Sequence, residues 1–272
     1  MNFRLTDEQT AFYAENGYLL LEELFRSEEV DELKAAIAEF RDHTNSPNII
    51  RESNGDVRSV FAPHYSNKLF EELYKDPRLV IPGEQLIGDD VYLYQYKINI
   101  KEAFDGDVWE WHQDFPYWHL DDQVSDPAMV SVMILLQDTR SYQGSLMIIP
   151  ASHKEGLADF EPKNELESMT MDKDFRHSLS NNLKYTVARQ LVRDMADEHG
   201  IKHIEGPAGT VLFFHPNIFH ASPSNVSPYE RDTAIITYNG VNNSAKPMGS
   251  QRPDYLCARD TAKIEAYLTQ RY

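Results

Sequence analysis

The stretch Trp109-Glu110-Trp111-His112-Gln113-Asp114-Phe115-Pro116-Tyr117-Trp118-His119 is the densest cluster of chemistry-bearing side chains in the chain. His112 and Asp114 lie two positions apart, a spacing that on a strand or extended turn directs both side chains to one face. An imidazole nitrogen and a carboxylate oxygen so placed can meet at one metal ion. A single H-x-D triplet arises often by chance, so the reading depends on a third donor. Two histidines between Leu212 and Ser222 are available, His215 and His220. His215 runs into Pro216 and reads as a strand end. His220 is followed by Arg231, eleven positions later and at the start of an apolar run. A histidine here also has a bland use, as a hydrogen-bonded structural residue. The combination of His112, Asp114, His220 and Arg231 favours a metal centre. Two histidines and a carboxylate on one face of an ion are the donor set of non-haem ferrous oxygenases, with positions left open for co-substrate and dioxygen. An arginine beside such a centre can grip a carboxylate with two prongs.

These residues must be held by regular elements, and the pattern supplies them. Thr6 and Gln9 make a capping box for a helix that ends at Asn16-Gly17. Tyr18 to Leu21 reads as a short strand. Ser27 is expected to cap a second helix, whose apolar Val30, Leu33, Ile37 and Phe40 form one stripe. Residues 45–60 read as a polar loop. Asn67 to Tyr74 and Pro77 to Ile87 read as further helices. From residue 90 the period changes to two. Val91 to Lys101 alternates, with Tyr92, Tyr94, Tyr96, Ile98 and Ile100 on one face and Val91, Leu93, Gln95, Lys97, Asn99 and Lys101 on the other. Val130 to Leu136, Ser145 to Ile149, Thr210 to Phe214 and Thr233 to Tyr238 are further short strands. Residues 154–205 are charged and helix-prone, with a helix expected over Asn182 to His199. The fold class is therefore α+β, an antiparallel sandwich or barrel with helices outside. One domain over 1–272 is expected, with a helical layer to about 88, a β core at 90–150 and 206–245, and an insertion at 154–205.

Composition narrows the partners. The chain has 272 residues, 44 Asp and Glu against 26 Lys and Arg, and a formal net charge of −18. Such a field repels nucleic-acid backbones and anionic membranes. The single Cys257 excludes an internal disulfide and a cysteine-rich zinc site. The N-terminal residues lack a signal-peptide pattern, and no apolar run reaches 18 residues. A cytoplasmic protein with a small-molecule partner is expected, monomeric or homodimeric.

The same motifs, together with Gln95 to Lys101, Pro150-Ala151-Ser152-His153-Lys154 and Gly206-Pro207-Ala208-Gly209, resemble the phytanoyl-CoA dioxygenase family of Fe(II)/2-oxoglutarate-dependent oxygenases. The resemblance spans roughly residues 5 to 260. Within the family it is similar to amino-acid hydroxylases, L-proline trans-4-hydroxylases first and ectoine hydroxylases second. Ectoine hydroxylases usually read Trp-His-x-Glu-Asp-Gly after the H-x-D; this chain has Trp118-His119-Leu120-Asp121-Asp122-Gln123.

The resemblance implies a double-stranded β-helix, the cupin-like jelly roll. It implies iron on His112, Asp114 and His220, 2-oxoglutarate held at its far carboxylate by Arg231, dioxygen as the oxidant, and ascorbate as an activator in vitro. Asn99, Lys101 and Ser222 are implied as 2-oxoglutarate contacts, and Gln95, Trp118 and His119 as substrate contacts. Each has a structural alternative. The polar row of the Val91 strand can be the solvated face of an edge strand, Ser222 a turn cap, and Trp118 core packing. Halogenases of this broad class lack the carboxylate that Asp114 provides, so hydroxylation is implied. The substrate implied is a free amino or imino acid, L-proline or a cyclic analogue such as pipecolate; its carboxylate needs a cation such as Arg58 or Arg140. Ectoine, a natural-product intermediate, or a cupin-like binding protein without turnover are the alternatives.

Overall fold

The capping box at the N-terminus forms as its residues dictate. The Gln9 amide N–H donates to the Thr6 hydroxyl and the Thr6 N–H to the Gln9 side chain, starting α1 (Asp7–Asn16), which Gly17 closes at φ 77°. At the start of α2 (Ser27–Arg41), the Arg26 N–H donates to the Glu29 carboxylate. Asn67 caps α3 (Lys68–Leu73), and Asp76 caps α4 (Pro77–Ile87). A computed structural model describes residues 3–41, 46–52, 54–159, 183–245 and 252–267.

The strands are β1 (Tyr18–Leu21), β2 (Ile49–Arg51), β3 (Val57–Phe61), β4 (Val91–Lys101), β5 (Trp109–His112), β6 (Met129–Leu135), β7 (Met147–Ile148), β8 (Lys202–His203), β9 (Val211–Phe214), β10 (His220–Ser222) and β11 (Arg231–Gly240). They form a jelly roll. One antiparallel sheet has the order β1-β9-β6-β11-β4-β3-β2, and a smaller one β5-β10-β7-β8. Alternation sends Met133, Leu135, Leu212, Phe214 and Ile235 inward, against Ile148 and Ile218. Val132, Ile134, Phe213, Ala234 and Ile236 point outward, where Tyr13, Val30, Leu33, Ile37, Phe70 and Leu79 of the helices cover them. Each such side chain contributes about 1.5–3 kcal/mol on burial, so the helical layer is what makes the outer face of this sheet tolerable in water.

Four expectations change. Residues 45–60 are not all loop: β2 and β3 pair as a hairpin, and β3 adds to β4. Their apolar pairs, Ile49-Ile50 and Val60-Phe61, are too short to show a period. The polar row of β4 is not a solvated edge, because β4 lies between β11 and β3 and is almost wholly buried. Nor does β4 alternate throughout. Gln95 pairs with Thr237 but Leu93 with Tyr238, so Tyr94 is an extra residue, a β-bulge. Upstream of it every side chain changes face. Val91 and Leu93 join Tyr96 and Ile98 under the helices, while Tyr92 and Tyr94 join Trp118 on the other side. Finally, the helix expected over Asn182 to His199 forms only as α5 (Arg189–His199). Residues 183–188 instead run along the jelly roll, where the Val187 N–H donates to the Trp111 carbonyl, and β8 extends the smaller sheet. Residues 160–182 of the expected insertion lie outside the described residues. Among those described, no helix is long and apolar enough to cross a membrane.

Candidate active site

The two strands that open the smaller sheet carry the two histidines. β5 and β10 pair antiparallel with His112 opposite His220. Just beyond β5 the chain bends, and the N–H groups of Asp114 and Phe115 both donate to the Pro216 carbonyl at 3.1 Å. Gln113, between the two, turns away. Its amide nitrogen donates to the Gly156 and Asn217 carbonyls and its oxygen accepts the Ala158 N–H. The residue between His and Asp thus fixes the bend that aims Asp114.

His112, Asp114 and His220 are buried, with one donor atom of each within 4.8 Å of the others. Nε2 of His112 lies 3.9 Å from Asp114 Oδ1, and Nε2 of His220 lies 3.8 Å from Oδ2. These separations exceed a hydrogen bond and suit three donors around one ion. Nδ1 of His112 faces the Glu110 carbonyl at 2.6 Å, and Nδ1 of His220 the Ile218 carbonyl at 3.0 Å. A carbonyl only accepts, so the proton sits on Nδ1 and Nε2 presents a bare lone pair. Burial, then the charge of His220, holds the His112 imidazole down at about 3; burial lowers His220 as well. Burial pushes the Asp114 carboxyl up, but Lys97 first, and then the two neighbouring histidines, outweigh it and hold it below the ordinary range. Neutral imidazoles and an ionised carboxylate are the protonation states that bind a metal. The residues present therefore fit the ion.

A cavity opens from this cluster between the sheets. At one end Arg231 is buried, its Nε without a partner, as is the Thr233 hydroxyl two residues on. Both line the cavity with Ser222 and Asn99. Burial lowers the Arg231 guanidinium only to about 10, so it remains cationic at neutral pH. Unpartnered buried donors beside a cation fit a carboxylate. Asn99 also accepts from the Ser59 hydroxyl at 2.8 Å. Lys101 is placed otherwise. It is the cross-strand partner of Arg231, but its ammonium leaves the cavity lining and donates to the Pro223 carbonyl. Burial, with Arg231 and Arg58 nearby, pushes it down to about 6.

A family model described as phytanoyl-CoA dioxygenase matches residues 13–233. The chain belongs to the phytanoyl-CoA dioxygenase family. L-Proline trans-4-hydroxylase of Streptomyces griseoviridis is 33% identical over 252 residues, covering 93% of this chain and 92% of that protein. Ectoine dioxygenase of Streptomyces anulatus is 33% identical over 262 residues, covering 93% of this chain and 85% of its own. EctD from S. alaskensis, solved with 2-oxoglutarate and 5-hydroxyectoine, matches with a TM-score of 0.82 at 28% identity, over 97% of this chain and 87% of that one. The protein is a non-haem Fe(II)- and 2-oxoglutarate-dependent dioxygenase of this family. That sets aside a cupin-like binding module without turnover.

The cavity also has an aromatic wall. Trp118 lines the cavity, its ring meeting Tyr94 edge-on at 5.4 Å, and Tyr117 and Trp109 stand beside it. Gln95 lines it too, while its amide donates to the Leu256 carbonyl at 2.7 Å. His119 does not reach the cavity. Its Nδ1 bonds the Val124 carbonyl at 2.8 Å and its ring stacks on Phe115. Arg58 pairs with Glu52 and covers the Trp109 ring at 4.0 Å; Arg140 sits in a separate surface cleft. The π-helix Tyr117–Asp121 carries the motif that departs from the ectoine pattern. Gln123, where those enzymes usually have glycine, adopts φ 59°. That is a conformation that favours glycine.

Sequence reasoning missed Lys97, Thr233, Leu183 and Arg252, all of which line the cavity. Lys97 and Thr233 were visible only as members of alternating strands. Leu183 is held at the cavity by neighbours: Lys184 and the Tyr185 hydroxyl both reach Asp121, at 3.1 and 2.9 Å. Arg252 arrives from the C-terminal region and binds Asp122 through Nε at 2.9 Å and through a second nitrogen, while the Tyr94 hydroxyl donates to the same carboxylate.

Proposed function

We propose that this enzyme hydroxylates a free amino or imino acid, with L-proline, at its trans-4 position, or a close analogue such as pipecolate as first candidate. The observation that carries the reading is the end-to-end similarity to an L-proline trans-4-hydroxylase. In this reading His112, Asp114 and His220 hold the iron. Arg231, supported by Ser222 and Thr233 and flanked by Asn99, holds the far carboxylate of 2-oxoglutarate. When bound, iron and 2-oxoglutarate would supply the activation of dioxygen, the oxidant, with one oxygen atom ending in the C–OH group and the other in the succinate released with carbon dioxide. The protein keeps both imidazoles neutral, orients them through backbone carbonyls and closes the cavity with aromatic walls. Trp118 and Gln95 stand on the substrate side.

A second reading, ectoine hydroxylation, is favoured by the TM-score of 0.82 to EctD and by the glycine-favouring left-handed backbone at Gln123. One experiment separates the two. Purified protein with Fe(II), ascorbate and 2-oxoglutarate is offered L-proline, pipecolate, other free amino acids and ectoine. Succinate release and a product 16 mass units heavier are followed. L-Proline is expected to stimulate both. Stimulation by ectoine alone would select the second reading, and no stimulation across the panel would remove both.

A further inference from the structure

Two cations line the cavity without a hydrogen-bond or ion-pair partner among the described residues, Arg231 and Lys97. Arg231 has a task in the reading above. Lys97 does not. It lies on β4, opposite Ile235 of β11 and Phe61 of β3, and faces the cavity. It lines the same cavity as His112, Asp114 and His220.

Distance along the strand separates its role from that of Arg231. The Arg231 end of the cavity is marked on β4 by Lys101, the direct cross-strand partner of Arg231. Lys97 is four residues further on, roughly 13 Å at a rise of about 3.3 Å per residue. Along the cavity-lining row of β4, Lys97 stands between Asn99, which flanks Arg231, and Gln95, which stands toward Trp118.

The other cation on that side is already committed. Arg252 presents Nε and a second nitrogen to Asp122, a two-pronged buried pair. Freeing that fork would strand a buried carboxylate. Among the described residues, Asp114 is the only carboxylate lining the cavity, and it belongs to the metal centre. An incoming small acid thus meets one uncommitted positive charge.

We propose that Lys97 receives the substrate's carboxylate and so selects small carboxylates, with the substrate amine left facing the rings of Trp118 and Tyr117. The proposal rests on the reading that the substrate is a free amino or imino acid. A single ammonium on a flexible stem suits this task, since it tolerates small changes in carboxylate position that a rigid fork would not. The cationic amine gains from the aromatic faces.

The test compares wild type, Lys97→Met and Lys97→Arg on L-proline, pipecolate and ectoine and on the carboxamide of each. Binding of 2-oxoglutarate is read separately from the visible absorption it gives with Fe(II) under anaerobic conditions. That signal also shows that a variant is folded and its metal centre intact. In wild type, amidation of the best substrate should lower kcat/KM at least 30-fold. In Lys97→Met the acid itself should show a KM raised at least 10-fold, and amidation should cost less than threefold. Lys97→Arg should recover part of the loss, and the 2-oxoglutarate dissociation constant should stay within twofold throughout. An amidation penalty that persists in Lys97→Met would overturn the proposal, as would a 10-fold weaker 2-oxoglutarate signal, which would assign Lys97 to the co-substrate. Failure of wild type to turn over any of the three acids would instead remove the reading beneath, and this proposal with it.

Discussion

His112 and His220 are direct cross-strand partners whose rings lie 4.1 Å apart, each with Nδ1 on the carbonyl two residues before it, Glu110 and Ile218. One antiparallel pair therefore fixes the position, tautomer and direction of both imidazoles. Removing either should remove iron rather than fold. His220→Ala is expected to weaken Fe(II) binding by at least ~100-fold, more than loss of an outer-shell partner costs. Metal titration should show this, with succinate release lost and the far-ultraviolet dichroism unchanged. Chelation of the wild-type enzyme should lower its melting temperature, and the variant should show no such response.

The buried pair of Arg252 and Asp122 predicts an asymmetric result. Asp122→Leu leaves a buried guanidinium without its counter-charge and is expected to destabilise by about 3–5 kcal/mol. Replacing both partners, with Asp122→Leu and Arg252→Met together, should cost less than either single change. Urea midpoints of the four proteins form the cycle that measures it.

Gln123 predicts a gain. A non-glycine residue in the left-handed region is strained by about 1–2 kcal/mol. Glycine would relieve this and lose about 0.5–1 kcal/mol to chain entropy. Gln123→Gly should therefore stabilise by up to ~1 kcal/mol and raise Tm by roughly 2–4 °C, read by thermal unfolding. A fall in Tm would show that the Gln123 side chain makes a compensating contact.

Acid should weaken the fold through its buried histidines. Burial holds His64 down at about 4 and His215 at about 3, against about 6.5 when unfolded. Between those values the unfolded chain binds more protons, so stability is full above pH 6.5 and is lost as pH falls towards 4. His64 Nδ1 is buried without a hydrogen-bond partner, and the charge of Glu71 offsets only part of the cost of charging the ring. Urea midpoints measured at pH 7.5, 6.0 and 5.0 should fall in that order, and His64→Phe should flatten the decline.

How much of this could be read from the chain depends on the range of the interaction. The metal cluster was legible because Asp114 follows His112 at strand spacing and His220 precedes Arg231 by a fixed offset, all local facts. An antiparallel sandwich or barrel followed from short strands whose apolar residues alternate, and the jelly roll was implied by the family resemblance. The bulge at Tyr94 was not legible, since it is defined by the partner strand: Gln95 and Leu93 face consecutive residues of β11. Arg252 and Leu183 carry no periodic signal and reach the cavity only through tertiary contacts with Asp122 and the Asp121 cluster. His119 misled because adjacency in sequence to a metal motif is not adjacency in space within a π-helix.

The extra residue in β4 has a consequence for redesign. It divides one strand into two segments whose side chains are out of phase. Downstream, Gln95 to Lys101 set the polar row; upstream, Tyr92 and Tyr94 brace Trp118 and Asp122 from the same side. The aromatic wall can therefore be rebuilt by changing the first segment while the second keeps its register. Deleting Tyr94 would restore plain alternation, leaving Leu93 under the helices and Tyr92 beside Trp118, and would remove only the ring that meets Trp118 and the hydroxyl that donates to Asp122.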